Sequence, residues 1–289
     1  MPSYLVTGAS RGLGFEFVRT LAQDENNIVI GLVRNKAAAD AKAKEEALDK
    51  VHFVEAQYTD IKSLKAAAEV VKEITGGSLD YLINNAAVVS HVSEFKTFGD
   101  LYVLSITTPM KQKEILTGDS DDDFDAMERD LLESLEINLL AVIKSIHAFV
   151  PLIRNGKGKK VITISTGMAD LDLINSTEVA FASPYAISKG AVNVAIAKYN
   201  ALYNKEGILF LAISPGYVTT ERNTEEPSPE DAEMIAILVK KFVEYAPHFK
   251  RPITPKESVT AVLSVMNNAS IEHGDGGAFL SHLGNKQWL

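Results

Sequence analysis

No cysteine occurs anywhere in the 289 residues. Disulfides, thiolate nucleophiles and cysteine-ligated metals are therefore excluded. Positive charge is in deficit: 29 Lys and Arg stand against 38 Asp and Glu, a formal net charge of -9. With no basic cluster to offset it, that balance argues against a nucleic-acid binder. No apolar run approaches the roughly 20 residues that span a bilayer. The N-terminus runs directly into a predicted strand, which leaves no room for a signal peptide. His248 and His273 are isolated from other ligand types, so no metal site is expected. The rest is ordinary for a soluble globular protein, 46% apolar and 23% charged. A cytoplasmic location is the expectation.

The residues that are present alternate between strand and helix patterns. Tyr4–Thr7 reads as a buried strand, followed by Thr7-Gly8-Ala9-Ser10-Arg11-Gly12-Leu13-Gly14 and a helix from Phe15. A strand, a glycine-rich turn and a helix N-terminus make an anion site: the glycines admit close approach, and free N–H groups with the helix dipole favour phosphate. The next strand, Asn27–Val33, ends at Arg34 rather than at an acid. An acid there would pair with ribose hydroxyls, whereas an arginine accommodates a 2′-phosphate. Arg34 and Arg11 together therefore predict NADP(H) over NAD(H), the alternative being two solvated surface arginines.

Strands at 51–56, 79–83, 161–165 and 208–213 alternate with helices at 37–48, 61–74, 124–154 and one running to about Asn204. A helix at about 231–245, another from Pro255 through Met266 and a last strand at 276–280 complete the pattern. Short connections predict an α/β fold: one doubly wound parallel-sheet Rossmann domain, three layers thick, covering 1–289. Two stretches break the rhythm. Residues 88–127 include a possible strand at 101–106 and an acidic run at 118–125 expected to be a solvated loop. A polar, proline-bounded segment follows at 221–229.

Within Ser183-Pro184-Tyr185-Ala186-Ile187-Ser188-Lys189, Tyr185 and Lys189 stand four residues apart, on one face of a helix. An ammonium beside a phenol favours the phenolate and brings it within reach of acid–base work. The alternative is an exposed helix with an incidental pair.

Taken together, these motifs resemble the classical short-chain dehydrogenase/reductase family over nearly the whole chain. Gly8, Gly12 and Gly14 match its Thr-Gly-x-x-x-Gly-x-Gly, and Asn84-Asn85-Ala86-Ala87 matches Asn-Asn-Ala-Gly. Pro215-Gly216-Tyr217-Val218-Thr219-Thr220 resembles its nicotinamide-facing segment, and Gly284-Asn285-Lys286-Gln287-Trp288 the tail of a C-factor-like carbonyl reductase subgroup.

The resemblance implies an NADPH-dependent reductase of a ketone or aldehyde of a small molecule, or the reverse alcohol oxidation. Tyr185 is the implied acid, Lys189 the ribose ligand and Asn138 the holder of a relay water. The fourth member, a serine in the family, falls on Thr166, with Ser165 the alternative through a shift of register. Cofactor contacts are implied for Ser10, Leu13, Gln57 and Tyr58, where the family has an acid near adenine, and for Asn85, Ala86, Pro215, Gly216, Val218 and Thr220.

The insertion at about 88–127 and the excess at 170–181 follow strand ends at the ligand edge and are expected to wall a pocket. For the first insertion an oligomer contact is the rival role. A substrate lid is implied at about 221–250, where Met234, Ile235, Leu238 and Phe242 recur at helical spacing. A homo-oligomer, dimer or tetramer, is implied by resemblance only. Two other functions share the scaffold: NADP(H) binding without redox activity, and a non-redox dehydration or isomerisation.

Overall fold

The computed structural model describes residues 1–90, 93–95, 97–98, 122–219 and 229–289, without the side chains of 122–126, 229–231 and 233. Among these residues, seven parallel strands form one sheet in the order β3-β2-β1-β4-β5-β6-β7. They are β1 (Ser3–Thr7), β2 (Ile28–Val33), β3 (His52–Glu55), β4 (Tyr81–Asn84), β5 (Lys160–Ile164), β6 (Leu209–Ser214) and β7 (Phe279–Ser281). Strand residues alternate between two cores. Leu5, Leu82, Val161 and Phe210 point to one face, where α3 (Ile61–Thr75), α5 (Ala141–Asn155) and α7 (Ser183–Tyr203) cover them. Val6, Ile83, Ile162 and Leu211 point to the other, under α1 (Gly12–Leu21), α2 (Lys36–Glu45) and α9 (Pro255–Asn268). Burial on both faces is why these strands read as continuous apolar runs.

The strand order reverses between β1 and β4, both of which pair in parallel register. A doubly wound sheet opens a crevice at the carboxyl ends flanking such a reversal. The glycine turn after Thr7 and the Asn84–Ala87 segment both emerge there.

The long helix expected over 124–154 is not one regular α-helix. An α-helical segment, α4 (Asp122–Leu135), gives way to a π-helical turn at Glu136–Leu140, then to α5. Asn138 sits inside that turn and is fully buried. Helix α4 begins within the acidic run that the sequence suggested would be a loop. The helical stretch 127–155 is also long and apolar enough to cross a membrane, which corrects the reading of no such run. Its Val142, Ile146, Phe149 and Ile153 are spent on the sheet core beside α3, the placement of a core helix. The excess at 170–181 folds into a short helix, α6 (Leu171–Thr177), capped by Asp170, whose side chain accepts from Leu173 N. Helix α8 (Pro229–Tyr245) begins two residues before the expected start. The possible strand at 101–106 and most of the 221–229 segment lie outside the described residues.

Candidate active site

The glycine turn is tied to the end of β4. Thr7 Oγ1 accepts from Asn85 N at 3.0 Å and Ala86 N at 3.1 Å, and Asn85 Nδ2 donates to Thr7 O at 3.0 Å. Gly8 has φ 68°, and a Cβ there would lie 2.9 Å from Ala86 Cα. At Gly14 a Cβ would sit 2.1 Å from Gly8 O. Gly12, with φ 54°, faces open space. Helix α1 opens with no capping side chain. Ser10, Arg11 and Arg34 are exposed at this edge, and neither arginine makes an ion pair among the described residues.

Gln57, just past β3, is exposed, and its N–H donates to Ser63 Oγ at 2.9 Å. The ring of Tyr58 is turned into the core, and its hydroxyl donates to Asn84 Oδ1 at 3.4 Å. Burial pushes that phenol well above its ordinary range. What Tyr58 can present at the edge is backbone.

Lys189 is 2% exposed, and its Nζ donates to Ile164 O at 2.7 Å. Burial lowers its pKa to about 8. Nζ lies 5.9 Å from the ring centroid of the half-buried Tyr185, so the expected shared helix face is present. The bond to Ile164 O holds that face against the end of β5, two residues before Thr166. There the two hydroxyls part. Ser165 is buried and donates to Asn193 Oδ1 at 2.7 Å. Thr166 is half-buried, and its Oγ1 accepts from Met168 N at 3.3 Å, which leaves its own proton to donate.

Asn138 is committed as a brace. Its Oδ1 accepts from Val88 N at 2.8 Å, and its Nδ2 donates to Val88 O and Ser188 Oγ, each at 2.9 Å. Ser188 Oγ in turn donates to Tyr185 O at 2.7 Å. The π turn thus joins the segment after β4 to the helix of Tyr185, and π turns concentrate at functional sites.

The segment after β6 is clamped. Pro215 O accepts from Ser258 Oγ at 2.7 Å, and Val218 pairs in parallel with Ile253. At Gly216 (φ 84°) a Cβ would lie 2.9 Å from His282 Cε1. His282 is buried, its Nδ1 has no partner among the described residues, and burial lowers its pKa. Thr220 lies outside the described residues.

Sequence reasoning missed His282, Ser258 and Asn193, because their roles come from contacts made across the chain. It also missed the buttress formed by Trp288. This residue stacks on Phe279 at 4.4 Å, and its Cβ would be 2.8 Å from a Cβ on Gly167, next to Thr166.

An apolar wall completes the edge. Val179, Phe181, Ala182, Leu238 and Phe242 are buried together, with Tyr185, Tyr217 and Met168 packed against them. The apolar face of α8 therefore turns towards Tyr185.

The family model for short chain dehydrogenases matches residues 3–231. Over the full length of both chains, the sequence is 45% identical to the short chain dehydrogenase virK of Hypocrea virens. It is 47% identical, again end to end, to the short-chain dehydrogenase/reductase AacuF of Aspergillus aculeatus. The NADPH-bound carbonyl reductase from chicken fatty liver superposes with a TM-score of 0.71 at 24% identity, over 99% of this chain and 98% of that one. The chain belongs to the short-chain dehydrogenase/reductase family, and it is an oxidoreductase of that class.

Proposed function

We propose that the protein is an NADPH-dependent reductase of a ketone or aldehyde of a small organic molecule, able to run in reverse on the alcohol. One observation carries the reading: buried Lys189 binds Ile164 O and so sets the Tyr185 face of α7 against the strand end bearing Thr166. The residues present fit a dinucleotide. The uncapped start of α1 and the open space at Gly12 suit a pyrophosphate, bounded by Ser10, Leu13, Gly14 and Gly8. Arg11 and Arg34, unpaired among the described residues, suit a 2′-phosphate and favour NADP(H) over NAD(H). Gln57 and the backbone of Tyr58 would flank the adenine. Asn85 and Ala86 line the turn, and Pro215, Gly216, Val218 and Thr220 would face the nicotinamide. When bound, the cofactor supplies the hydride.

The chain supplies orientation and protons. Thr166 Oγ1, held by Met168 N, donates to the substrate oxygen and polarises the carbonyl. Tyr185 gives its phenolic proton to that oxygen as negative charge develops there. The Lys189 ammonium stabilises the phenolate left behind. Asn138 keeps Tyr185 in place through Ser188; any relay water it holds must use the second lone pair of Oδ1 or its backbone carbonyl. Ser165, spent on Asn193, is a packing residue in this scheme.

The protein acts as one cytoplasmic domain, with the 170–181 helix and α8 walling the pocket. Leu132, Leu140, Ile187, Val194 and Leu202 are exposed along α4, the π turn and α7, which supports a homo-oligomer joined by those helices. The test is nicotinamide absorbance with a panel of ketones and aldehydes. Turnover of a carbonyl with NADPH is expected. NADPH binding with no turnover on any of them contradicts the proposal.

A further inference from the structure

Thr166 lies past the end of β5, in a turn. Its carbonyl accepts from Ala169 N at 3.0 Å, and Gly167 O accepts from Asp170 N at 2.9 Å, which closes the turn over 166–170. The bond from Met168 N to Thr166 Oγ1, at 3.3 Å, is long for an N–H donor. A threonine has few χ1 choices, so its hydroxyl goes where the backbone of this turn goes.

Two distant parts of the chain hold that backbone. Gly167 N donates at 3.0 Å to Oγ of the buried Ser214, the last residue of β6. Trp288 lies against the same glycine: a Cβ on Gly167 would be 2.8 Å from Trp288 Cβ and 3.0 Å from its Cγ. The indole therefore occupies the space that a side chain at 167 would take. It is itself anchored, being 2% exposed and stacked on Phe279 of β7 with planes 24° from parallel. Lys286 Nζ lies 5.1 Å from the Phe279 centroid and 5.2 Å from that of Trp288, within the reach of a cation–π contact. The same ammonium is 3.7 Å from the carboxylate of Asp170, which ends the turn. The tail thus meets the turn at both Gly167 and Asp170.

We propose that Trp288 is a positioning residue for the reduction: it fixes where the Thr166 hydroxyl points, and Lys286 keeps its ring in place. The inference rests on the reductase reading above, with Thr166 as the donor to the substrate oxygen. A group at a reacting centre must be held to within about 0.5 Å by the packing around it. A displacement of about 1 Å, caused by a change away from the chemistry, can cost about 100-fold in rate.

The test is a double-mutant cycle between Trp288 and Thr166, read as kcat on a ketone reduced with NADPH. Trp288→Ala keeps Cβ but loses Cγ and the anchoring ring. It should lower kcat about 10–100-fold and leave KM for NADPH unchanged. In the Thr166→Val background the same substitution should cost less than about twofold, because the hydroxyl that it positions is gone. Trp288→Phe keeps both atoms that meet Gly167 and an aromatic face for Phe279, so it should retain most of the wild-type kcat. Trp288→Leu, which keeps apolar bulk but cannot stack, carries the comparison if the alanine variant fails to fold. A loss of equal size in both backgrounds shows that Trp288 does not act through Thr166, and overturns the inference. Wild-type kcat in the alanine or leucine variant has the same consequence. If Thr166→Val alone leaves kcat intact, the inference falls while the reductase reading stands. If the wild-type protein reduces no ketone, both fall.

Discussion

Replacing Lys189 with methionine should make the protein more stable at neutral pH and inactive. Lys189 is buried without an ion pair among the described residues, and burial takes its pKa from 10.5 to about 8. That depression corresponds to about 3 kcal/mol of disfavour for the charged form in the folded state. Methionine removes this cost and fills a similar volume, but it leaves Ile164 O without its 2.7 Å bond. A buried carbonyl so orphaned costs about 1–3 kcal/mol. The net gain at pH 7 is about 0–2 kcal/mol.

The pH dependence carries the sharper signal. Because the folded pKa lies below the unfolded one, the unfolded chain binds more protons between pH 8 and 10.5. Wild-type stability attributable to this group therefore rises with pH across that window. The methionine variant lacks the rise, so its advantage should shrink by about 3 kcal/mol and reverse near pH 10.5. Urea unfolding of both proteins at pH 7 and 10.5 measures the difference, and titrations common to both cancel. A difference that stays constant with pH refutes the claim that a charged lysine is held in the core.

Other outcomes follow from the same geometry. Thr166→Val should lower kcat by about 100-fold through loss of the donor to the substrate oxygen. Ser165→Ala should leave kcat nearly unchanged and cost about 1 kcal/mol of stability, read by urea midpoints; the reverse ranking assigns the hydroxyl to Ser165. Arg34→Asp should weaken NADPH about 10–100-fold, the worth of a charge-assisted bond, with little change for NADH; equal losses by titration reject the 2′-phosphate role. Gly167→Ala should cost about 1–3 kcal/mol in thermal or urea unfolding, because its Cβ would lie 2.8 Å from Trp288 Cβ.

The glycine turn, the strands around it and the Tyr185–Lys189 spacing were legible because each depends on residues close together in sequence. The cap of α3 is equally local: Asp60, immediately before the helix, accepts from Lys62 N. The π turn at Asn138 was not legible. Asn138 there is bonded to Val88 and Ser188, each 50 residues away, and no local pattern records those contacts. The Ser165–Thr166 question had the same character. Neighbouring hydroxyls at a strand end differ only in which one meets Asn193, a contact made 28 residues along the chain. The inward turn of the Tyr58 ring was not legible either, since its hydroxyl meets Asn84, 26 residues along the chain. The tail motif was visible, yet its purpose, Trp288 pressed against the turn beside Thr166, depends on contact between the chain's end and its middle.

The central claim is that Tyr185 is the proton donor to a carbonyl oxygen. Its most direct test is NADPH-dependent reduction by Tyr185→Phe, measured alongside NADPH affinity. The account predicts that the variant binds NADPH as tightly as wild type while kcat falls about 100-fold or more, the scale of a lost general acid. Wild-type turnover by the phenylalanine variant would contradict it.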